Sequence, residues 1–68
     1  MNHLERIAAV TKYLKRHGQS MLYVDRKQVG LSFNQTKLAV RDMTERGLIE
    51  FEAVGWRRIY KLTDKGKE

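Results

Sequence analysis

Apolar residues recur along this chain at two different periods, and the change of period divides it. From residue 4 to residue 14 the period is helical. Leu4, Ile7, Val10, Thr11 and Leu14 form one stripe, with Glu5, Lys12 and Arg16 opposite. His17-Gly18 reads as the end of that helix. A second helical stripe runs through Phe33, Thr36, Ala39, Val40 and Met43. At about 100° per residue these all lie within about 60° of Thr36. Asn34, Leu38, Arg41 and Glu45 fall on the far side, with Lys37 and Asp42 on the flanks. Ser32 and Gln35 have the spacing of a capping box, which opens this helix, and Gly47 stops it. The pattern predicts a helix over 33–46, after which Leu48 and Ile49 return the chain to the core.

Between the two stripes, Met21-Leu22-Tyr23-Val24 is apolar but too short for periodicity to separate strand from helix. Asp25 and Gln28 repeat the capping-box spacing. The expectation is a short strand at 21–24 and a short helix at 26–30. Beyond residue 48 the period changes to two. Ile49-Glu50-Phe51-Glu52-Ala53 alternates strictly, and Arg58-Ile59-Tyr60-Lys61-Leu62 less cleanly. Val54-Gly55-Trp56-Arg57 joins them, so the two read as a β-hairpin. Acidic residues of the first strand can face basic residues of the second. The predicted order is helix, short strand, helix, helix, hairpin: a single α+β domain spanning 1–68.

Charge adds a partner class. The chain carries 14 Lys+Arg against 8 Asp+Glu, a net +6, spread as +3 over residues 1–24, +2 over 25–47 and +1 over 48–68. Such a balance points to a polyanion, nucleic acid first and an anionic membrane second. With no basic tail, any binding face has to be assembled by folding. A chain this short buries roughly 60% of the surface its unfolded form exposes, which allows one modest core and no deep cleft. There is no proline, no repeat and no cysteine, so disulfides and thiolate metal sites are excluded. No apolar run approaches a bilayer span, and residues 1–6 lack a signal-peptide layout. The expectation is a soluble, cytoplasmic protein.

Three fragments then resemble a known family. Val29-Gly30-Leu31-Ser32 is similar to the turn of a helix-turn-helix. Val40, Met43, Gly47, Leu48 and Ile49 fit the pattern V-x-x-L-x-x-x-G-L-I at the end of its recognition helix, with Met43 in the leucine place. Trp56 to Gly66 is similar to the wing and the L-T-x-K-G segment after it. Together, over residues 29–66, the chain resembles winged helix-turn-helix repressors of the multiple-antibiotic-resistance type. The resemblance implies three helices with a C-terminal hairpin wing. Two features depart from the family. Asp25 and Arg26 stand where helix 2 usually carries Leu-Ala, which leaves Val24 and Val29 as its expected anchors. The sequence also ends where a dimerisation helix often follows.

The resemblance further implies a transcription regulator, a repressor in type, that binds double-stranded DNA. Its recognition helix would enter the major groove N-terminal half first. On this chain the reading residues would be Asn34, Gln35, Lys37, Leu38 and Arg41. Asn and Gln suit adenine, Lys and Arg suit guanine, and Leu38 suits a thymine methyl. Trp56, Arg57 and Arg58 would form the wing contact, to backbone or minor groove. Arg26 and Lys27, expected at the start of helix 2, and Ser32 would contact phosphates, with helix amides assisting.

Against that stands a solvated face of the same composition, with Trp56 simply packed and the arginines paired to Glu50 and Glu52. Leu38, exposed amid polar residues, opens a second class: a winged-helix protein-interaction module in a replication or transcription complex. Ala9 and Tyr13, read as outward on the first helix, are a candidate homodimer seam. His3 and His17 read as surface helix residues. No metal set, phosphate loop or nucleophile–base pair is present in the sequence pattern, so neither an enzyme nor a bound cofactor, metal or small-molecule ligand is expected.

Overall fold

Asn2 opens the first helix by accepting the Glu5 amide on its side-chain oxygen at 2.8 Å. In the computed structural model, which describes residues 2–68, that helix is α1 (His3–His17). It is followed by strand β1 (Gln19–Ser20), helices α2 (Leu22–Val29) and α3 (Phe33–Glu45), strands β2 (Ile49–Val54) and β3 (Arg57–Leu62), and a short helix α4 (Asp64–Lys67). The strands form one antiparallel sheet in the order β1-β3-β2. Among the described residues the architecture is thus α+β, with four helices and three strands; α4 is the element that the predicted order lacks.

The long helix is where the sequence pattern places it. The Gln35 amide donates to Ser32 Oγ at 3.1 Å, and the Ser32 amide donates to Gln35 Oε1 at 3.0 Å, so both halves of the capping box are made. Thr36, Ala39, Val40 and Met43 are buried. The buried Thr36 hydroxyl donates to the Ser32 carbonyl at 2.8 Å and so carries no unsatisfied polar group into the core. Phe33, expected in the same stripe, is 54% exposed, because it lies in the first turn, beyond the core's edge. Leu4 departs for the same reason at the start of α1, while Val10 and Leu14 in that stripe are fully buried.

The stretch 19–30 differs from expectation. The strand is only Gln19–Ser20, and residues 22–25 belong to α2. Asp25 lies inside that helix and caps nothing; its Oδ2 accepts the Ser20 hydroxyl at 2.6 Å instead. Leu22 is the buried anchor, and Val29 packs partly against the core, but Val24 is exposed. Arg26 and Lys27 sit in the last turn of α2, not its first, so no helix N-terminus assists them. The Gly30 amide, bonded to the Arg26 and Lys27 carbonyls, closes the helix.

The hairpin link is shorter than the sequence suggests. Val54 pairs with Arg57, leaving Gly55 and Trp56 as a two-residue turn. Gly55 has φ 63°, and no non-glycine residue among those described has positive φ. That is the pattern of a type II′ turn, whose twist suits antiparallel strands and whose second position accepts a large residue. No helix among the described residues is long and apolar enough to cross a membrane.

Candidate nucleic-acid interface

Helical geometry aligns Asn34, Lys37, Leu38, Arg41 and Glu45 on the outward face of α3, and all five are exposed. Leu38, at 51% exposure, stands among them as the sequence pattern indicates. Arg41 Nε lies 3.5 Å from Glu45 Oε1, one turn on. Such an exposed pair is weak. Gln35 is only half exposed, and its amide oxygen is taken by the cap. A bidentate grip on adenine needs that oxygen as well as Nε2, so Gln35 brings chiefly its Nε2 to the face. Ser32 is the converse: its oxygen accepts the Gln35 amide, which leaves the hydroxyl hydrogen free to be donated outward.

One carboxylate bordering this face, Asp42, is paired twice. Asp42 Oδ2 accepts from His3 Nε2 and from Arg46 Nε, each at 3.0 Å. Hydrogen bonding by His3 is the largest single cause that holds the Asp42 carboxyl below its ordinary value of 3.8; burial opposes it, and the bond and charge from Arg46 add to it. A carboxylate can only accept, so His3 Nε2 carries the proton, and Nδ1 faces Arg6 Nη2 at 3.5 Å. His3 is therefore not a plain surface residue of α1. It ties the start of α1 to the last turn of α3 across 39 positions of sequence, a distance at which no local pattern could have announced it.

A run of rings leads from the start of α3 to the hairpin. Phe33 lies 5.4 Å from Tyr23, Tyr23 lies 6.3 Å from Tyr60, and Tyr60 lies 5.7 Å from Phe51, between ring centroids. Arg58 completes it, with its guanidinium 5.2 Å over Phe51. Burial raises the Tyr23 phenol above its ordinary value of 10.0, helped by Tyr60, while the charge of Arg58 acts the other way. Arg58 is thus electrostatically felt at the ring that abuts α3. Of this run only the Phe51–Tyr60 step could have been found from the sequence, by setting the hairpin register from a two-residue turn.

Strand alternation places Arg58 on the opposite side of the hairpin from Glu50 and Glu52, but Arg57, opposite Val54, on the same outer side as those acids. Ile49, Phe51 and Ala53 share the helix-facing side with Leu62, Tyr60 and Arg58, whereas Glu50 and Glu52 point outward with Lys61 and Ile59. Glu50 pairs with Lys61 at 3.5 Å, as cross-strand charge suggests, but Glu52 lies opposite Ile59. Among the described residues neither arginine forms an ion pair with these acids: Arg57 stacks over Trp56 at 5.0 Å instead. Trp56 does not pack; it is 84% exposed.

The remaining candidates lie apart from α3. Arg26 Nη1 donates to the Tyr23 carbonyl at 2.9 Å, which ties down part of its guanidinium, while Lys27 is exposed. Ala9 and Tyr13 are half-buried rather than outward. They border a groove between α1 and α2, where the Tyr13 hydroxyl donates to Gln28 Oε1 at 3.0 Å and its ring lies 4.3 Å from His17. Tyr13, Leu38 and Trp56 line three separate recesses. No family model matches this chain, and no curated protein matches it.

Proposed function

We propose that this chain is a winged helix-turn-helix protein that binds double-stranded DNA and regulates transcription. In this reading α2 and α3 form the helix-turn-helix, α3 enters the major groove, and the β2–β3 hairpin is the wing. One observation carries it: the outward face of α3 presents Asn34, Lys37, Leu38 and Arg41, while Asp42 beside them is held by both His3 and Arg46. That face offers donors for base edges over its N-terminal half, with Glu45 one turn beyond Arg41 toward the helix end. The order of elements and the short connection through Gly30, Leu31 and Ser32 are consistent with it.

Lys27, Lys37, Arg41, Arg57 and Arg58 are the exposed cations offered to phosphates and bases. If about five basic side chains displace counterions, log K falls against log salt with a slope of about −4 to −5. Fluorescence anisotropy of a labelled duplex, titrated across a range of salt concentrations, measures this. A slope near zero contradicts the proposal. The exposed Leu38 favours a second reading, a protein-interaction module. Binding to a protein partner that Leu38→Ala abolishes, together with no salt-dependent DNA binding, would establish that one instead.

A further inference from the structure

Trp56 is the chain's one tryptophan, and it stands at the tip of the hairpin, at the second position of the Gly55-Trp56 turn. Its indole, 84% exposed, lies outside the core, so the fold gains little from a ring of this size there. Its immediate partner is the Arg57 guanidinium, 5.0 Å from the ring centroid. Arg58 follows on the other side of the strand. No acidic residue occurs between Ala53 and Tyr60. The carboxylate that shares a recess with Arg57 is Asp25, and the Ser20 hydroxyl holds it at 2.6 Å. Glu52 lies farther down the outer face, opposite Ile59.

The tip therefore combines one exposed aromatic face with two guanidinium groups and no carboxylate of its own, Asp25 and Glu52 lying beside it rather than in it. Protein surfaces lined with apolar side chains would match the indole but leave two arginines desolvated without partners. A nucleobase with its flanking phosphates matches all three groups: the base stacks on the indole, and the guanidiniums bond phosphate oxygens in bidentate fashion. Uniform B-form duplex shows only base edges in its grooves. A base face becomes available where the stack is interrupted, or where a flexible pyrimidine–purine step opens around a wedge.

We infer that Trp56 is a base-stacking residue, and that the hairpin tip directs the chain to DNA whose base stack is broken or easily opened. The inference rests on the DNA-binding reading above. It adds to that reading a class of preferred substrate and a contact that groove reading by α3 does not require.

The test uses the full chain at low salt and five DNA probes: a stiff A-tract duplex, a duplex with a central TA step, a mismatched duplex, a duplex with a single-nucleotide gap, and a single strand. Anisotropy of labelled probes reports binding. Indole emission with unlabelled probes reports Trp56 alone, because the chain has no other tryptophan. The expected result is quenched emission on binding and tighter binding to the opened probes than to the A-tract. Trp56→Ala should lose about 5- to 140-fold in affinity for those probes, the range for loss of one base–aromatic stack. Trp56→Phe should recover part of the loss. Preference for the mismatch and the gap would identify a pre-existing break as the source of the base face; preference for the TA step would identify an opened step. Matching circular dichroism and melting of Trp56→Ala and wild type would show that the fold is intact. Salt-dependent binding with unchanged emission, and equal affinities for wild type and Trp56→Ala, would overturn the stacking inference and leave DNA binding standing. Binding to none of the probes would overturn both.

Discussion

Replacing Leu14 with alanine should leave much of the chain unfolded at physiological temperature, while the same replacement at Leu4 should be nearly silent. Both leucines belong to the stripe that predicts α1, yet their surroundings are opposite. Leu14 is 1% exposed, in the same core as Leu22 and Met43, whereas Leu4 is 70% exposed at the helix start. Truncating a buried leucine removes its transfer free energy and leaves a cavity, together about 2–5 kcal/mol. A domain of this length holds only about 3–10 kcal/mol in total, so the loss takes most of the margin. An exposed truncation stays within about 0.5 kcal/mol. Thermal melting followed by circular dichroism distinguishes the two. Equal losses at both positions would mean that the start of α1 is packed as tightly as its middle.

The second large effect is expected at Gly66, in α4. A methyl group there would sit 2.0 Å from the Leu48 carbonyl oxygen and 3.0 Å from its carbon. These are backbone atoms and cannot swing aside. Leu48 is fixed from two directions: its amide bonds the Met43 carbonyl at 2.8 Å, and its carbonyl accepts the Thr63 amide at 3.0 Å. Thr63 adds its hydroxyl to the Gly47 carbonyl and receives the Gly66 amide at 3.2 Å. Gly66→Ala must therefore lift α4 from the turn that ends α3. The expected loss is about 1–3 kcal/mol, or roughly 5–20 °C in melting temperature for a domain of this size. Lys65→Ala, at an exposed neighbour, should melt with wild type. Wild-type melting of Gly66→Ala would show that the C-terminal helix is not docked in solution.

This contact gives a physical meaning to two fragments that the sequence presents separately. Gly47-Leu48-Ile49 and Leu62-Thr63-Asp64-Lys65-Gly66 are packing partners: the glycine is required by the leucine carbonyl, and the threonine bonds both residues of the turn. Their order was legible in the sequence, but their contact was not, because it joins residues far apart in the chain.

Legibility elsewhere followed the length of the pattern. The thirteen residues of α3 repeat their apolar stripe over several turns and carry a cap, so the helix and its inner face could be read directly. The eight residues of α2 carry too few apolar positions to show a period. Met21–Val24 then looked like a strand, and the Asp25–Gln28 spacing looked like a cap, although Asp25 bonds Ser20 across the turn. The four-residue α4 was shorter than any period can reveal. Within the candidate interface, residue types on α3 were readable, but their commitments were not. Gln35 is drawn into its own cap, Arg26 is bound to the Tyr23 carbonyl, and His3 is joined to Asp42. Each of these depends on where a neighbour's polar atom lies in space.

Selection from a random pool of duplex DNA, run in parallel with wild type and Arg41→Ala, tests most directly whether α3 reads a groove. Arg41 is well suited to this, because it is exposed and, among the described residues, engaged by the weak Glu45 pair alone, so its removal should leave the fold intact. Loss of one base-edge contact is worth about 1–3 kcal/mol and relaxes preference at the base concerned. The expected result is a motif enriched by wild type and degraded at one or two adjacent positions by the variant. A wild type that enriches no motif, or a variant that enriches the identical motif at full strength, would contradict base reading by this face of α3.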